Sequence, residues 1–160
     1  MNKIVKSWLS LLLILTFLGG CKSNEVDANP DVYQYKDSMV GDNSAIGNII
    51  NQLPGSEGSI DFELKTKEEP YGIILNYHRK ESEQAFKEIV IYRATFLFAL
   101  VQNVDWITFN FDTDAYTITK EEIQAWYDKE LSDISNKDEL IEIIQAHLED
   151  DAKVNQLLYE

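Results

Sequence analysis

A long, largely apolar helical pattern between two pairs of strand-like segments most restricts what this chain can fold into. Between residues 83 and 103, apolar side chains recur every three or four positions, which is the spacing of one helix face. Ser82 stands directly before the pattern as a candidate helix cap. The uncharged part, residues 94–104, is much shorter than the roughly 20 residues that a membrane-spanning helix needs. The pattern therefore predicts a central core helix packed on a sheet.

The strand-like segments come in pairs, each joined by a short turn. Residues 60–66 alternate apolar and polar side chains, and residues 71–77 follow after the turn. Residues 106–111 and 115–118 form the second pair. Because strands joined by short turns pair in an antiparallel manner, the sequence predicts two hairpins rather than single strands that alternate with helices.

Helix signals before and after the strand pairs complete the order of elements. Residues 45–53 have helical spacing and follow the turn 41–44, in which Ser44 is the expected cap. Thr119 and Glu122 form a capping-box pattern that opens a later helix, and another helix and a short extra turn follow it. The predicted class is α+β, with a four-stranded, mainly antiparallel sheet of two hairpins, helices packed on one face, and the order α-ββ-α-ββ-α-α.

The N-terminus has the three zones of a secretory signal peptide. Lys3 and Lys6 precede an apolar run over residues 8–18, and Leu18-Gly19-Gly20-Cys21 follows. These last four residues resemble the bacterial lipoprotein pattern of Leu, two small residues and Cys, in which the thiol takes a diacylglyceryl group. The apolar run is too short for a permanent span.

This pattern predicts the domain organisation and the location of the mature chain. We expect residues 1–20 to be a lipoprotein signal peptide, residues 21–32 to be the lipidated Cys21 with a flexible tether, and residues 33–160 to be a single globular α+β domain. Two acyl chains hold a protein stably on a bilayer. The expected location is the extracytoplasmic face of the cell membrane, with membrane lipid bound through Cys21.

Cysteine usage and charge exclude several classes of function. Cys21 is the only cysteine, so after lipidation the chain has no disulfide, no cysteine nucleophile and no cysteine metal ligand. Without Lys3 and Lys6 the chain carries 12 basic and 28 acidic residues, a net charge of −16. This acidity argues against a nucleic-acid partner and against polybasic contact with lipid. It is typical of a solvated surface, with a cationic partner or divalent-ion buffering as the alternatives.

The residues that could carry chemistry form no familiar constellation. His78 and His147 have none of the spacings of zinc ligands. Asp112 and Asp114 resemble a metal-binding pair, but their loop lacks the Gly and the distal Glu of a calcium loop, so a hairpin turn explains them. Motifs for nucleophilic catalysis and for phosphate binding are absent from the sequence. We therefore predict no catalytic residue, no metal and no cofactor.

The large aromatic residues follow the strand and helix patterns. Trp106 opens the third predicted strand, and Trp126 and Tyr127 lie in the helix after the capping box. We expect all three in the core rather than on a ligand platform.

Several segments together resemble a known family. They are residues 35–44 (Tyr-Lys-Asp-Ser-Met-Val-Gly-Asp-Asn-Ser), 53–54, 71–73 and 100–105, the capping box and the Trp126-Tyr127 helix. Over about residues 33–150 the chain is similar to the family named domain of unknown function 4825, found in Gram-positive bacteria. The resemblance implies an extracytoplasmic domain, either a lipoprotein or part of a membrane-anchored regulator such as the sensor peptidases of the β-lactam response. It implies no catalytic residues.

The leading functional prediction is a non-catalytic binding, sensory or accessory module of the cell envelope. The candidate binding segment comprises Tyr35, Gly41, Asp42, Asn43 and Ser44. This segment could frame a groove beside the first helix, whose N-terminus could receive an anion. The competing interpretation is that it only attaches the N-terminal segment to the fold.

Two alternative functions are also compatible with the sequence. One is a metal-assisted envelope enzyme that uses His78, Asp112 and Asp114. The other is a purely structural lipoprotein that contacts an envelope protein partner through its acidic surface.

Overall fold

The computed structural model describes residues 31–56, 60–78, 82–112 and 114–159, and the elements follow the predicted order. The strands are β1 (Ile60–Lys65), β2 (Gly72–Tyr77), β3 (Trp106–Asn110) and β4 (Ala115–Thr119). The helices are α1 (Asn43–Gln52), α2 (Glu83–Leu100), α3 (Lys120–Tyr127), α4 (Lys137–Leu148) and α5 (Asp151–Tyr159). Two short 3-10 helices, Val32–Tyr35 and Leu131–Asp133, complete the set.

The four strands form one sheet in the order β1-β2-β3-β4. Both hairpins are antiparallel, as predicted, and they meet in a parallel pair in which Leu75 of β2 lies opposite Phe109 of β3. The parallel junction follows from α2, because a helical crossover brings the chain back to start the next strand in the same direction. The α+β class with a mainly antiparallel sheet is thereby confirmed.

The helices pack on one face of the sheet. Phe86 of α2 lies with its ring centroid 5.1 Å from that of Tyr116 on β4, and Gly47 of α1 lies beside the ring of Phe62 on β1. Because successive side chains of a strand point to opposite faces, the residues on this face form a single apolar layer. The fully buried members of β2, β3 and β4 in this layer are Ile73, Leu75, Ile107, Phe109 and Ile118.

The opposite face of the sheet is polar. Thr108 and Thr117 share a hydrogen bond of 2.8 Å between their hydroxyl oxygens, and the amide of Asn110 donates to Asn76 Oδ1 over 2.8 Å. Glu63 on β1 is 60% exposed. The strand register places Glu63 and Thr108 together on this polar face.

A buried arginine joins α2 to the end of α1. Arg93 is fully buried, and its Nε, Nη1 and Nη2 atoms donate to the carbonyls of Pro54, Ile50 and Leu53 over 3.0, 3.1 and 3.3 Å. The last carbonyls of a helix lack the N–H partners that interior carbonyls have, and the guanidinium supplies donors to them; Ile50 O also accepts the N–H of Leu53 over 3.4 Å. This explains why a charge is tolerated within the apolar stripe of α2.

Three boundaries differ from the sequence-based predictions. Helix α2 ends at Leu100 rather than 103, because Val101 takes an extended backbone and forms a β-bridge with Ser38. The C-terminal segment is a nine-residue helix, α5, rather than a short turn. The fold also begins earlier than residue 33, since the Asp31 carboxylate caps a 3-10 helix.

Two of the sequence-based predictions concern the membrane: that the central helix does not span it, and that the N-terminus carries a lipoprotein signal. Within the described residues, no helix combines the length and apolar character needed to cross a bilayer. The predicted signal peptide 1–20, Cys21 and the tether as far as residue 30 lie outside the described residues.

We predict that Arg93→Met lowers the free energy of unfolding by about 3–5 kcal/mol, since three carbonyls at the end of α1 lose their donors. Urea denaturation followed by near-ultraviolet circular dichroism measures the change. Lys153→Met is the matched control, because Lys153 is 59% exposed and its pair with Asp150 spans 3.9 Å. The control should lose no more than about 1 kcal/mol. Equal losses in both variants would contradict the role of Arg93.

Candidate binding surfaces

The candidate segment at residues 35–44 is bonded to the C-terminal end of α2. Ser38 N donates to Leu100 O over 3.2 Å, and Gln102 N donates to Ser38 O over 2.9 Å. Val40, which is buried, donates its N–H to Asn103 Oδ1 over 2.8 Å. These backbone bonds fix the position of the segment and give it a structural role.

A lysine and a strained aspartate add two further attachments. Lys36 Nζ donates to the carbonyls of Ser132 and Ile134 over 2.7 and 2.6 Å, which ties the segment to the second 3-10 helix. Asp37 has a φ of 67°, a region that Asn and Asp tolerate better than most residues, and its carboxylate accepts a hydrogen bond from Gln102 Nε2. The segment therefore bridges α2 and the C-terminal half of the fold.

The five predicted binding residues occupy two environments. Tyr35 is half-buried against the core, whereas Gly41, Asp42, Asn43 and Ser44 are exposed. Asp42, and not Ser44, caps α1, because its Oδ1 accepts the N–H of Ala45 over 3.0 Å. An anion at this helix end would meet the Asp42 carboxylate, so the geometry disfavours the expected anion site. A binding role for the segment stays a prediction.

A second candidate surface surrounds Trp106 on the uncovered face of the sheet. The expectation that Trp106 belongs to the core was wrong, because it shares a face with Thr108 and Asn110 and not with Ile107 and Phe109. The alternation of β3 already indicates this face, because the other residues that point to the same side as Trp106 are polar.

The Trp106 ring lies flat on Gly72. A Cβ atom placed on Gly72 would fall 2.1 to 2.4 Å from three contiguous atoms of the indole, so no other residue fits beneath the ring. The indole Nε1–H donates to the carbonyl of Pro70 over 3.0 Å. One ring face is thus occupied by the backbone of β2, and the orientation of the ring is fixed by a hydrogen bond.

Trp106 borders two grooves at the same end of the sheet. The first has a volume of about 820 Å³ and lies between Trp106 and helix α3, with Asp105, Glu121 and Gln124 among its lining residues. The second has a volume of about 690 Å³ and is lined by Trp106 and residues 63–70 of the first hairpin. The indole is therefore shared by both grooves.

The first groove has more acidic than basic side chains. Its carboxylates belong to Asp105, Glu121, Asp128 and Glu130, and its cations to Lys120 and Lys129. Both cations already have partners, since Lys120 Nζ donates to Gln102 O over 2.9 Å and Lys129 Nζ lies 2.8 Å from Glu139 Oε1. The groove thus has a negative balance beside a fixed aromatic ring.

The structure does not place His78, Asp112 and Asp114, the residues of the metal-assisted hypothesis, in one metal-binding group. His78 Nε2 lies 2.8 Å from Asp61 Oδ2, and both side chains are exposed. Asp112 and Asp114 are also exposed, in the turn between β3 and β4. Across residues 31–56, 60–78, 82–112 and 114–159, no group of three or more His, Cys, Asp or Glu side chains is arranged to hold a metal ion.

Comparison with protein families identifies the relationship of the chain. A family model described as Domain of unknown function (DUF4825) matches residues 32–124, more than half of the chain. The chain belongs to this family. The match begins at the first 3-10 helix and ends within α3, so it includes residues 35–44, the whole sheet and Trp106, whereas α4 and α5 lie beyond it. No curated protein and no solved structure matches the chain.

We predict that Asp42→Ala destabilises the fold by about 1 kcal/mol, because α1 loses its cap. Ser44→Ala is the matched control, and its effect should stay within about 0.5 kcal/mol because Ser44 is exposed and does not cap α1. Thermal and urea unfolding measure both changes. A larger loss for Ser44→Ala than for Asp42→Ala would show that the cap is misassigned.

We predict that stability at alkaline pH depends on Tyr33. Burial raises the pKa of Tyr33 to about 12, and the nearby charges of Glu139 and Asp31 add to the shift. Because the folded pKa exceeds the unfolded value of 10.0, the stabilisation is complete below pH 10 and is lost as the pH rises towards 12. Among the residues that the structure describes, the buried hydroxyl oxygen of Tyr33 has no hydrogen-bond partner. Tyr33→Phe should therefore match the wild type at pH 7 and exceed it in unfolding free energy near pH 11. An unchanged difference at the two pH values would contradict this assignment.

Proposed function

We propose that the protein is a lipid-anchored, extracytoplasmic and non-catalytic binding module that presents the uncovered face of its sheet to a ligand or envelope partner. The observation that carries the proposal is the fixed, half-buried indole of Trp106 on that face, between two grooves. Half-buried aromatic side chains beside polar groups are typical of recognition sites, because they supply contact area with little loss of conformational entropy.

The anchoring part of the proposal rests on Leu18-Gly19-Gly20-Cys21 and on the charge of the chain. Asp31, the cap of the first 3-10 helix, is ten residue steps after Cys21. A chain of that length reaches at most about 35 Å, which keeps the domain near the bilayer surface. The acidic domain is repelled by anionic lipid headgroups, and this favours contacts with other partners.

The non-catalytic part of the proposal rests on the chemistry of the groove. Its hydroxyl, that of Thr119, donates to Glu122 Oε2 over 2.7 Å. This contact belongs to the capping box of α3, in which Glu122 N also donates to Thr119 Oγ1. Helix capping accounts for the pair, so the groove offers acceptors and an aromatic surface rather than an activated nucleophile.

We predict that Cys21 is the site of lipid attachment. Cells that express the full chain and are fed an alkyne-tagged fatty acid should label the wild type and leave Cys21→Ala unlabelled, because the thioether cannot form. Gly20→Ala keeps a small residue before the cysteine, so it serves as the control and should remain labelled.

Surface digestion of the same cells tests the location. Protease added to intact cells should degrade the wild-type domain. Full labelling of Cys21→Ala, or complete protection of the domain in intact cells, would contradict the proposed anchoring.

A further inference from the structure

We propose that the groove between Trp106 and α3 binds an organic cation that carries N–H donors, namely a guanidinium or alkylammonium group. This inference rests on the proposed binding function and names the ligand class. The groove combines the oriented indole of Trp106 with several hydrogen-bond acceptors. Both features favour a cation that carries N–H donors.

The aromatic surface of the groove is the indole ring of Trp106. The contact of the indole with Gly72 occupies one side of the Trp106 ring, and the half-buried ring also lines both grooves, where a ligand can reach it. Among aromatic side chains, the indole is the strongest partner for a cation stacked on its face. Because the Nε1–H bond to Pro70 holds the ring in place before binding, stacking costs little conformational entropy.

Hydrogen-bond acceptors line the groove beside the ring. Carboxylates of Asp105, Glu121 and Asp128 line the groove, and only Oδ2 of Asp105 has a described donor, the N–H of Tyr71 at 2.6 Å. Gln124 Oε1, in the same lining, is buried and has no hydrogen-bond partner within the described part of the chain. A planar guanidinium or an ammonium group supplies several donors to such an arrangement.

The net charge of the groove favours a cation over other ligands. The two lysines of the groove balance only part of the charge of its four carboxylates, and Lys129 is also paired with Glu139, so the groove keeps a net negative charge. An anion would be repelled by the carboxylates, and a neutral sugar would stack on Trp106 without using the charge. The volume of about 820 Å³ is within the range of roughly 300–1,000 Å³ that small-ligand sites occupy.

The cation could belong to a free small molecule or to a basic side chain of a peptide. The second groove, with Glu68 and Glu69 in its lining, lies on the other side of the same indole and extends the surface along the sheet edge. A peptide would use both grooves, whereas a free cation would use only the first. Two probes distinguish these sources: N-acetylarginine amide, and a capped heptapeptide with one central arginine.

Calorimetry and nuclear magnetic resonance on the full-length lipoprotein in detergent test the inference. The wild type should bind at least one probe, and the heptapeptide with citrulline in place of arginine should bind at least about tenfold more weakly, because it lacks the charge. Trp106→Leu should weaken binding about fivefold to tenfold. Trp126→Phe, which removes the other indole of the domain, should stay within about twofold.

A charge variant tests the acceptors separately from the ring. Glu121→Gln combined with Asp128→Asn should weaken binding severalfold and reduce its dependence on salt concentration. Asparagine suits position 128, where the backbone has a φ of 51°. If Trp106→Leu fails to fold, the wild type still provides a test: the probe should shift the indole N–H resonance of Trp106 and leave that of Trp126 in place.

Three results would overturn the inference: no binding of either probe by the wild type, equal binding of the citrulline peptide, or binding of a neutral disaccharide with the same Trp106 shift. In each case lipid labelling at Cys21 and surface exposure of the domain would remain intact, so only the ligand class would fail. Loss of labelling or of exposure would instead refute the proposed anchoring.

Discussion

The buried guanidinium of Arg93 is the interaction on which the helical layer depends. It closes the end of α1 through three carbonyls, and its Cζ lies 5.8 Å from the centroid of the Tyr77 ring on β2. A single side chain of α2 thus contacts the neighbouring helix and the sheet. An apolar residue at this position would leave helix-end carbonyls without donors, whereas a surface charge could not reach them. This junction holds α1 and α2 together on the apolar face of the sheet, and the other face carries the polar side chains and Trp106.

The two candidate surfaces differ in what their hydrogen bonds achieve. In residues 35–44 most bonds involve the backbone, and one joins the side chains of Gln102 and Asp37. Together with the bonds of Lys36, they attach the segment to α2 and to the second 3-10 helix. Around Trp106 the bonds orient a ring and leave carboxylates at the edge of a groove. Residues 35–44 and Trp106 lie within the family match at residues 32–124, whereas Asp128 and Glu130 of the groove and the helices α4 and α5 lie beyond it.

Periodicity in the sequence was enough to predict the elements and their class, because the burial of one apolar face dominates each helix and strand. The capping box at Thr119 and Glu122 was also predictable, since all its partners lie within four residues. The partners of Arg93 lie about forty residues away, so local patterns gave no sign of them. The same holds for the end of α2, which depends on the distant Ser38. The face of Trp106 was encoded in the alternation of β3, but general aromatic preference had suggested the core.

Photo-crosslinking in living cells compares the two surfaces most directly. A photoreactive amino acid is placed at one of two exposed positions. Thr117 lies on the uncovered face of the sheet, and Asn43 lies in the attached segment at residues 35–44. If the sheet face is the recognition surface, discrete adducts should form from position 117 and not from position 43. Adducts from position 43 alone would instead assign recognition to the segment at residues 35–44 and would contradict the assignment to the sheet.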